Sequence, residues 1–342
     1  MPFPRELAAP LQLGRVILPN RVFLAPLSGI TDVPFRRRAL LHGAGMVVSE
    51  MVASGELARG RDDSLLRTRP AGGNLHVVQL AGREARWMAE GARIAVAEGA
   101  DIVDINMGCP AKKVTGGYSG SALMRDLDHA LSLIEAVVEA VEVPVTLKTR
   151  LGWDDTALNA PILAKRAQEA GIAMITIHGR TRCQFYTGKA DWHAIRRVRE
   201  AVSIPVVANG DISSEADIRE ALAASGADAL MIGRANCGAP WTSGEIASVA
   251  AGEKTLQKPG TAEDLADYVI AHYEDMLSFY GRKSGLRQAR KHLGWYLDRH
   301  GNERAPVLRN EILRSDEPQT VIALLRAALS SEAATCDSRQ AA

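Results

Sequence analysis

The run Asp104-Ile105-Asn106-Met107-Gly108-Cys109-Pro110 sets an amide and a thiol side by side. Ile102-Val103-Asp104-Ile105 reads as a buried strand, Asn106 places a carboxamide at its end, and Gly-Cys-Pro turns the chain so that the thiol faces outward. A thiol of ordinary pKa, about 8.5, is mostly protonated at neutral pH and has a proton to give. That suits a general acid, whereas a nucleophile needs the pKa lowered. The competing reading of Cys109 is a small buried hydrophobe, the commoner fate of a free cysteine. The motif alone does not choose between the two.

Further polar residues recur where apolar runs end: Pro26-Leu27-Ser28, Glu50, Gln79, Asn106, Lys148, His178, Asn209-Gly210-Asp211 and Gly233-Arg234. Lys148 could neutralise the charge that builds around N1 and O2 of a flavin on reduction, or form an ion pair with Asp104 or Glu50. Gln79 could hydrogen-bond the edge of a ring. Gly210 and Gly233 let the backbone approach a phosphate closely, and Arg234 adds a charged fork. Each glycine alone is more simply a turn residue; two on adjacent strands favour a phosphate. Thr115-Gly116-Gly117-Tyr118-Ser119-Gly120 lacks the order of a dinucleotide fingerprint, and no P-loop occurs. It reads as a mobile loop beside Cys109 that lets the thiol swing over a substrate.

The elements that must position these groups follow from the pattern of apolar residues. Eight short aliphatic runs recur: Val22–Ala25, Met46–Ser49, Leu75–Leu80, Ile102–Asn106, Val145–Lys148, Met174–His178, Val206–Asn209 and Ala229–Ile232. They read as strands buried on both faces. Between them lie helical segments, clearest over Arg83–Glu98, Leu127–Val141, Asn159–Ala170, Ala190–Val202 and Ser214–Ala224. Gly99, Gly171 and Gly226 follow three of these as C-caps. Eight strands alternating with helices predict an α/β chain folded as a (β/α)8 TIM barrel over 1–245. Even spacing and the count of eight disfavour an open doubly wound sheet. In such a barrel the strand C-termini converge on one ligand-sized mouth.

After residue 245 the alternation stops. Residues 254–260 have the composition of a linker. Thr261 fits an N-cap, with Glu263 and Asp264 in the first turn, and Leu265, Val269, Tyr273, Met276 and Tyr280 form one amphipathic stripe. Further helices are expected over 286–299 and 320–329, giving a small C-terminal all-α helical bundle over 255–331 and a disordered tail over 332–342. Basic residues dominate between Arg282 and Arg314, and Arg287, Arg290 and Lys291 share a helical face. A solvated face is the usual reading of such a run; a phosphate-contacting surface is the sharper one.

The chain has 342 residues, 46% hydrophobic and 24% charged, with a net charge of +1. These are values of an ordinary soluble protein, with neither a membrane-length apolar run nor a signal-peptide layout. The four cysteines, Cys109, Cys183, Cys237 and Cys336, form no C-x-x-C pair. That argues against a structural metal and a disulfide framework, and for a reducing cytoplasm.

Several segments together resemble the bacterial tRNA-dihydrouridine synthases, most closely their B type. They are Ala25-Pro26-Leu27-Ser28-Gly29-Ile30-Thr31-Asp32, Val78-Gln79-Leu80-Ala81-Gly82, Asn106-Met107-Gly108-Cys109-Pro110-Ala111-Lys112-Lys113-Val114, Lys148-Thr149-Arg150-Leu151-Gly152-Trp153, His178-Gly179-Arg180-Thr181-Arg182-Cys183-Gln184-Phe185-Tyr186, Asn209-Gly210-Asp211-Ile212, Met231-Ile232-Gly233-Arg234 and Arg290-Lys291-His292-Leu293-Gly294-Trp295-Tyr296. The resemblance implies FMN across the barrel mouth. Pro26, Leu27 and Ser28 would line it, Gln79 and Lys148 would bind the ring with His178 nearby, and Asn209, Gly210, Asp211, Gly233 and Arg234 would bind the ribityl chain and phosphate. It further implies NADPH, or NADH in its place, as reductant. Hydride would pass to C6 of a D-loop uridine, with Cys109 protonating C5 and Asn106 positioning the base. The helical domain would hold tRNA, and the B type points to position 17. No obligate protein partner and no membrane are implied. Two departures stand out: Leu27-Ser28 replaces the usual Met-Ala, and the loop after Val114 lacks the basic residues relatives often carry. The alternatives are an FMN-dependent reductase of a free pyrimidine, of the dihydroorotate type, and a non-catalytic RNA-binding barrel.

Overall fold

The aliphatic runs become one ring of parallel strands: β1 Val22–Leu24, β2 Met46–Val47, β3 Val77–Ala81, β4 Ile102–Met107, β5 Val145–Arg150, β6 Met174–His178, β7 Val206–Asn209 and β8 Ala229–Ile232. This computed structural model describes residues 3–73, 75–253 and 258–330. The expected tail over 332–342 and the linker residues 254–257 lie outside the described residues. All residues of β3, β4, β5, β7 and β8 are buried, as strands covered on both faces must be. The pairing order is β2-β1-β8-β7-β6-β5-β4-β3, and Val52–Ala53, a continuation of β2, pairs with β3. Ser49-Glu50-Met51 interrupts the second strand. Across that break the Ser49 amide donates to the Val77 carbonyl (3.0 Å) and the Ser49 hydroxyl accepts from the Gln79 amide (2.9 Å), which closes the ring.

Helices α1 Val33–Leu41, α2 Ala85–Ala97, α3 Leu127–Ala140, α4 Ala160–Glu169, α5 Trp192–Ala201, α6 Glu215–Ser225 and α7 Thr242–Ala251 surround the ring, with Ser54–Ala58 and Asp62–Thr68 after the second strand. Their starts are set locally. Asp32, Asp126 and Asp191 accept from the backbone three residues on, and Ser214 and Asp217 form a capping box. The predicted (β/α)8 architecture is therefore the one observed. A hairpin, Leu11–Leu13 with Val16–Leu18, was not expected from the sequence, because three-residue strands carry too few residues to show a period. Its Leu11, Leu13 and Leu18 pack against Val77, Ile102, Met174, Val207 and Ala229, which lie at or next to the starts of their strands. The hairpin thus plugs the N-terminal end of the ring and leaves the C-terminal end as the mouth.

Some boundaries also move. β3, β4 and β5 run one or two residues beyond their expected ends. Gln79, Asn106 and Lys148 consequently sit inside strands rather than at their tips.

The described residues form two compact units, one of residues up to 236 with 240–253, the other of 237–239 with 258–330. The second unit contains α8 Ala262–Tyr280, α9 Arg282–His300, α10 Ala305–Arg314 and α11 Pro318–Leu329. Thr261 caps α8 through a capping box with Asp264, and Val269, Tyr273 and Met276 of the expected stripe are buried. α10 escaped the sequence reading; it opens on Ala305-Pro306, and a proline that breaks a helix interior is tolerated in its first turn.

Candidate active site

The mouth of the ring holds a cavity of about 880 Å³, a size usual for cofactor sites. Pro26, Leu27, Ser28, Gln79, Asn106, Cys109, Lys148, His178, Asn209, Gly210, Asp211, Gly233 and Arg234 all line it. Met51, Arg150, Phe185 and Tyr186 line it too, and the sequence reading assigned them no role. Glu50 does not; it accepts from the Gly29 amide at 2.5 Å. Arg287, Arg290 and Lys291 belong to the helical unit. There Arg290 pairs with Asp316 (2.9 Å), Lys291 donates to Gln288 (2.6 Å), and Arg287 is exposed.

Cys109 is half-buried on a turn that is held at several atoms. Asn106 Oδ1 accepts from the amides of Gly108 (3.3 Å) and Cys109 (3.0 Å). Arg150 Nε donates to the Gly108 carbonyl (2.8 Å), and the Ser121 amide (3.1 Å) and hydroxyl (2.8 Å) both donate to the Cys109 carbonyl. The expected swinging loop is therefore anchored where it joins the thiol. At Gly120, φ is +61° and a Cβ would lie 2.8 Å from the Cys109 carbonyl, so only glycine lets the chain pass. Burial pushes the thiol pKa up, against the opposing pull of the Ala111 amide and the charges of Arg150 and Lys148. The raised pKa keeps the thiol protonated at neutral pH.

Lys148 faces the same cavity. Its Nζ donates to Asn209 Oδ1 (3.0 Å), and Asn209 is itself oriented by a bond to the Met231 carbonyl (2.7 Å). An ammonium has three donors, so two remain for a ligand. Burial first, and then Arg150, lower the Lys148 pKa to about 8, against the pull of Asp104 and Cys109. The proposed ion pair to Asp104 is not formed; Asp104 is buried and accepts from Thr146 Oγ1 (2.5 Å) and Gln79 Nε2 (2.7 Å).

His178 ends β6. Burial, joined by the positive charges of Lys148, Arg150, Arg180 and Arg234, lowers its pKa to about 2. Arg180 Nη1 lies 3.3 Å from His178 Nε2; a guanidinium only donates, so Nε2 accepts and the ring is neutral. The ring is expected to show no titration between pH 5 and pH 8 in its NMR chemical shifts. A midpoint near 6.5 would contradict this environment. The unfolded chain does protonate near pH 6.5, so this residue withdraws stability as pH falls below that value.

Asp211 sits at φ +55°, a conformation uncommon for a residue with a side chain. Its carboxylate bridges Arg180 (3.0 and 2.5 Å), Arg234 (3.1 Å) and the Ala190 amide (2.9 Å). Burial alone would raise its pKa, but the hydrogen bonds from Arg180 and Ala190, with the charges of Arg180 and Arg234, hold it below the ordinary range. The Asp211 carboxylate is thus a bracket for two arginines. Arg180 also donates to the carbonyls of Thr187 (3.0 Å) and Gly188 (2.7 Å). Arg180→Met is expected to cost about 3 kcal/mol, because it strands a partly buried carboxylate. Wild-type stability should fall as pH drops through the depressed Asp211 pKa, a loss muted in the variant. Urea unfolding at pH 7 measures the first, and urea unfolding in steps from pH 4 down to pH 2 measures the second.

The dihydrouridine synthase family model matches residues 23–334. A probable tRNA-dihydrouridine synthase of Rhizobium leguminosarum bv. phaseoli is 56% identical over 323 residues, 94% of this chain and 99% of the relative. The tRNA-dihydrouridine synthase B of Xanthomonas axonopodis pv. citri is 45% identical over 317 residues, 92% and 95% of the two chains. Among solved structures, a 2-naphthoyl-CoA reductase complex aligns with a TM-score of 0.58 at 14% identity, over 73% of this chain and 52% of that one. Morphinone reductase aligns at 0.52 and 17%, over 74% and 91%. Those two likenesses are of fold. The sequence matches run through both the ring and the helical unit, and the chain belongs to the dihydrouridine synthase family.

Proposed function

We propose that the protein reduces a D-loop uridine of tRNA to 5,6-dihydrouridine, with FMN in the cavity and NADPH, or NADH in its place, as reductant. The observation that carries this is a half-buried cysteine thiol and a buried lysine lining one cavity. The cavity fits the cofactor. Its volume is adequate, Lys148 has donors to spare for the ring, and a Cβ at Gly233 would meet nothing closer than 3.9 Å, leaving that backbone open to a phosphate. FMN held there would supply a hydride, taken from NADPH, to C6 of the uracil.

The chain's own residues do the rest. Pro26, Leu27 and Ser28 would form a wall, Gln79 and Lys148 would hold the ring with neutral His178 beside them, and Asn209, Gly210, Asp211, Gly233 and Arg234 would bind the ribityl chain and phosphate. Asn106 has one side-chain N–H beyond its bond to Gln79 with which to position the base. Cys109 Sγ–H gives its proton to C5 and is reprotonated from solvent. Uridine, NADPH and a proton become dihydrouridine and NADP⁺. A uridine inside folded tRNA must be turned out of its stack to reach the thiol. The helical unit, with Arg287, Arg290 and Lys291, would hold the tRNA, and the uridine proposed is position 17, as the B-type resemblance implies. The compartment is the cytoplasm. Among the described residues no helix is long and apolar enough to cross a membrane, and no three metal-binding side chains cluster.

The test is dihydrouridine formation in unmodified tRNA by purified protein with FMN and NADPH, read by nucleoside mass spectrometry. Product in the tRNA is the expected result. NADPH oxidation with unchanged tRNA, and turnover of free uracil or orotate instead, would overturn the substrate and favour a free-pyrimidine reductase.

A further inference from the structure

Cys109 and Asp104 stand at the two ends of an unbroken line of hydrogen bonds. Asp104 Oδ2 accepts from Gln79 Nε2 (2.7 Å), Gln79 Oε1 accepts from Asn106 Nδ2 (2.9 Å), and Asn106 Oδ1 accepts from the Gly108 and Cys109 amides (3.3 and 3.0 Å). Asp104, Gln79 and Asn106 are 5%, 1% and 8% exposed, so bulk water has little access to replace any of these partners. A carboxamide turned by half a circle exchanges O for NH2 with almost no change of shape, so packing alone does not choose its orientation. Asp104 chooses it. The carboxylate oxygen accepts, so Gln79 must present NH2 to it and its oxygen to Asn106. Asn106 must then present NH2 to Gln79 and its oxygen to the thiol turn. A reversed Asn106 would set NH2 against two N–H groups and release the turn. The carbonyls of that turn are already held by Arg150 and Ser121; among the described residues its amides are held only through Asn106.

We propose that Asp104 is a positioning residue for Cys109, acting through the Gln79–Asn106 amide relay to fix the polarity of the bonds that hold the thiol turn. The inference deepens the reaction proposed above and rests on it. Burying a carboxylate is costly, and here the cost secures orientation rather than stability.

A carboxylate swap tests it in the flavin-loaded full-length protein. Asn106→Asp still accepts from both turn amides but cannot donate to Gln79, whose oxygen it now faces. Asp104→Asn allows either relay orientation. The double variant restores a consistent relay running the other way: the new amide donates to Gln79 Oε1, and Gln79 donates to the new carboxylate. Asn106→Asp is expected to slow single-turnover dihydrouridine formation about 100-fold through misplacement of the thiol. Adding Asp104→Asn should recover about tenfold of it, a favourable non-additivity that loss of two unrelated packing contacts does not produce. A double variant as slow as Asn106→Asp, or slower, overturns the relay. A soluble double beside an insoluble single is the same rescue.

A second readout does not depend on the substrate. Iodoacetamide alkylation of Cys109, followed peptide by peptide at pH 8, should be several-fold faster in Asp104→Asn than in wild type, because one of the two relay orientations that variant allows releases the turn. An unchanged rate overturns the relay. If wild type alkylates as expected but forms no dihydrouridine, the functional reading has failed and the relay is judged on alkylation alone.

Discussion

Cys109→Ala is expected to lower dihydrouridine formation by a factor of about 10² to 10⁴, the usual contribution of a positioned proton donor. Alanine fits the turn, since its five backbone hydrogen bonds, with Asn106, Arg150 and Ser121, do not involve the thiol. Folding and cofactor loading should be retained, and so should NADPH oxidation, because the thiol takes no part in that half of the reaction. Stopped-flow absorbance of the bound flavin separates the two halves. A variant that forms dihydrouridine at more than a tenth of the wild-type rate would remove Cys109 from the mechanism. The pH profile provides a second check. Burial raises the thiol pKa, so the donor form persists above the ordinary thiol range. A decline with its midpoint near pH 6, well below the Lys148 pKa of about 8, would be inconsistent with Cys109 as the donor.

Lys148→Met should separate activity from stability. Lys148 is held charged at neutral pH by a folded-state pKa of about 8 against 10.5 for the free side chain. That difference makes its burial unfavourable by on the order of 3 kcal/mol at pH 7. The sign follows from linkage: the unfolded chain keeps its proton up to the higher pKa, so stability rises with pH between the two values. Methionine fills similar volume without a charge, losing only the bond to Asn209 Oδ1. The variant is therefore expected to melt several degrees higher than wild type. It should also reduce uridine about 10² to 10³ times more slowly, as when one preorganised charged donor is removed. Calorimetry and single-turnover assays read the two effects. A variant that is both less stable and fully active would show that Lys148 is a structural cation. Wild-type activity is expected to fall above pH 8, as this lysine loses its proton.

The ring was legible in the sequence because its causes are local. Aliphatic runs such as Ile102-Val103-Asp104-Ile105, caps such as Ser214 and Thr261, and glycines such as Gly226 act over three or four residues. The thiol motif and the polar strand ends could be named for the same reason, and of those fourteen residues all but Glu50 line one cavity. Elements with little local signal were missed: the three-residue hairpin strands, and a ten-residue helix opened by a proline.

The partners of those groups depend on ring closure. Asp104 meets Gln79, Arg180 meets Asp211, and Lys148 meets Asn209 across 25, 31 and 61 residues of chain. Nothing in the runs themselves says that Asp104 binds an amide and not Lys148, or that Asp211 brackets arginines. Parallel register and inward-facing alternation determine which side chains become neighbours, and burial then makes each choice of hydrogen-bond partner expensive to reverse. Residue types indicated the available chemistry; folding assigned each group its partner, protonation state and orientation.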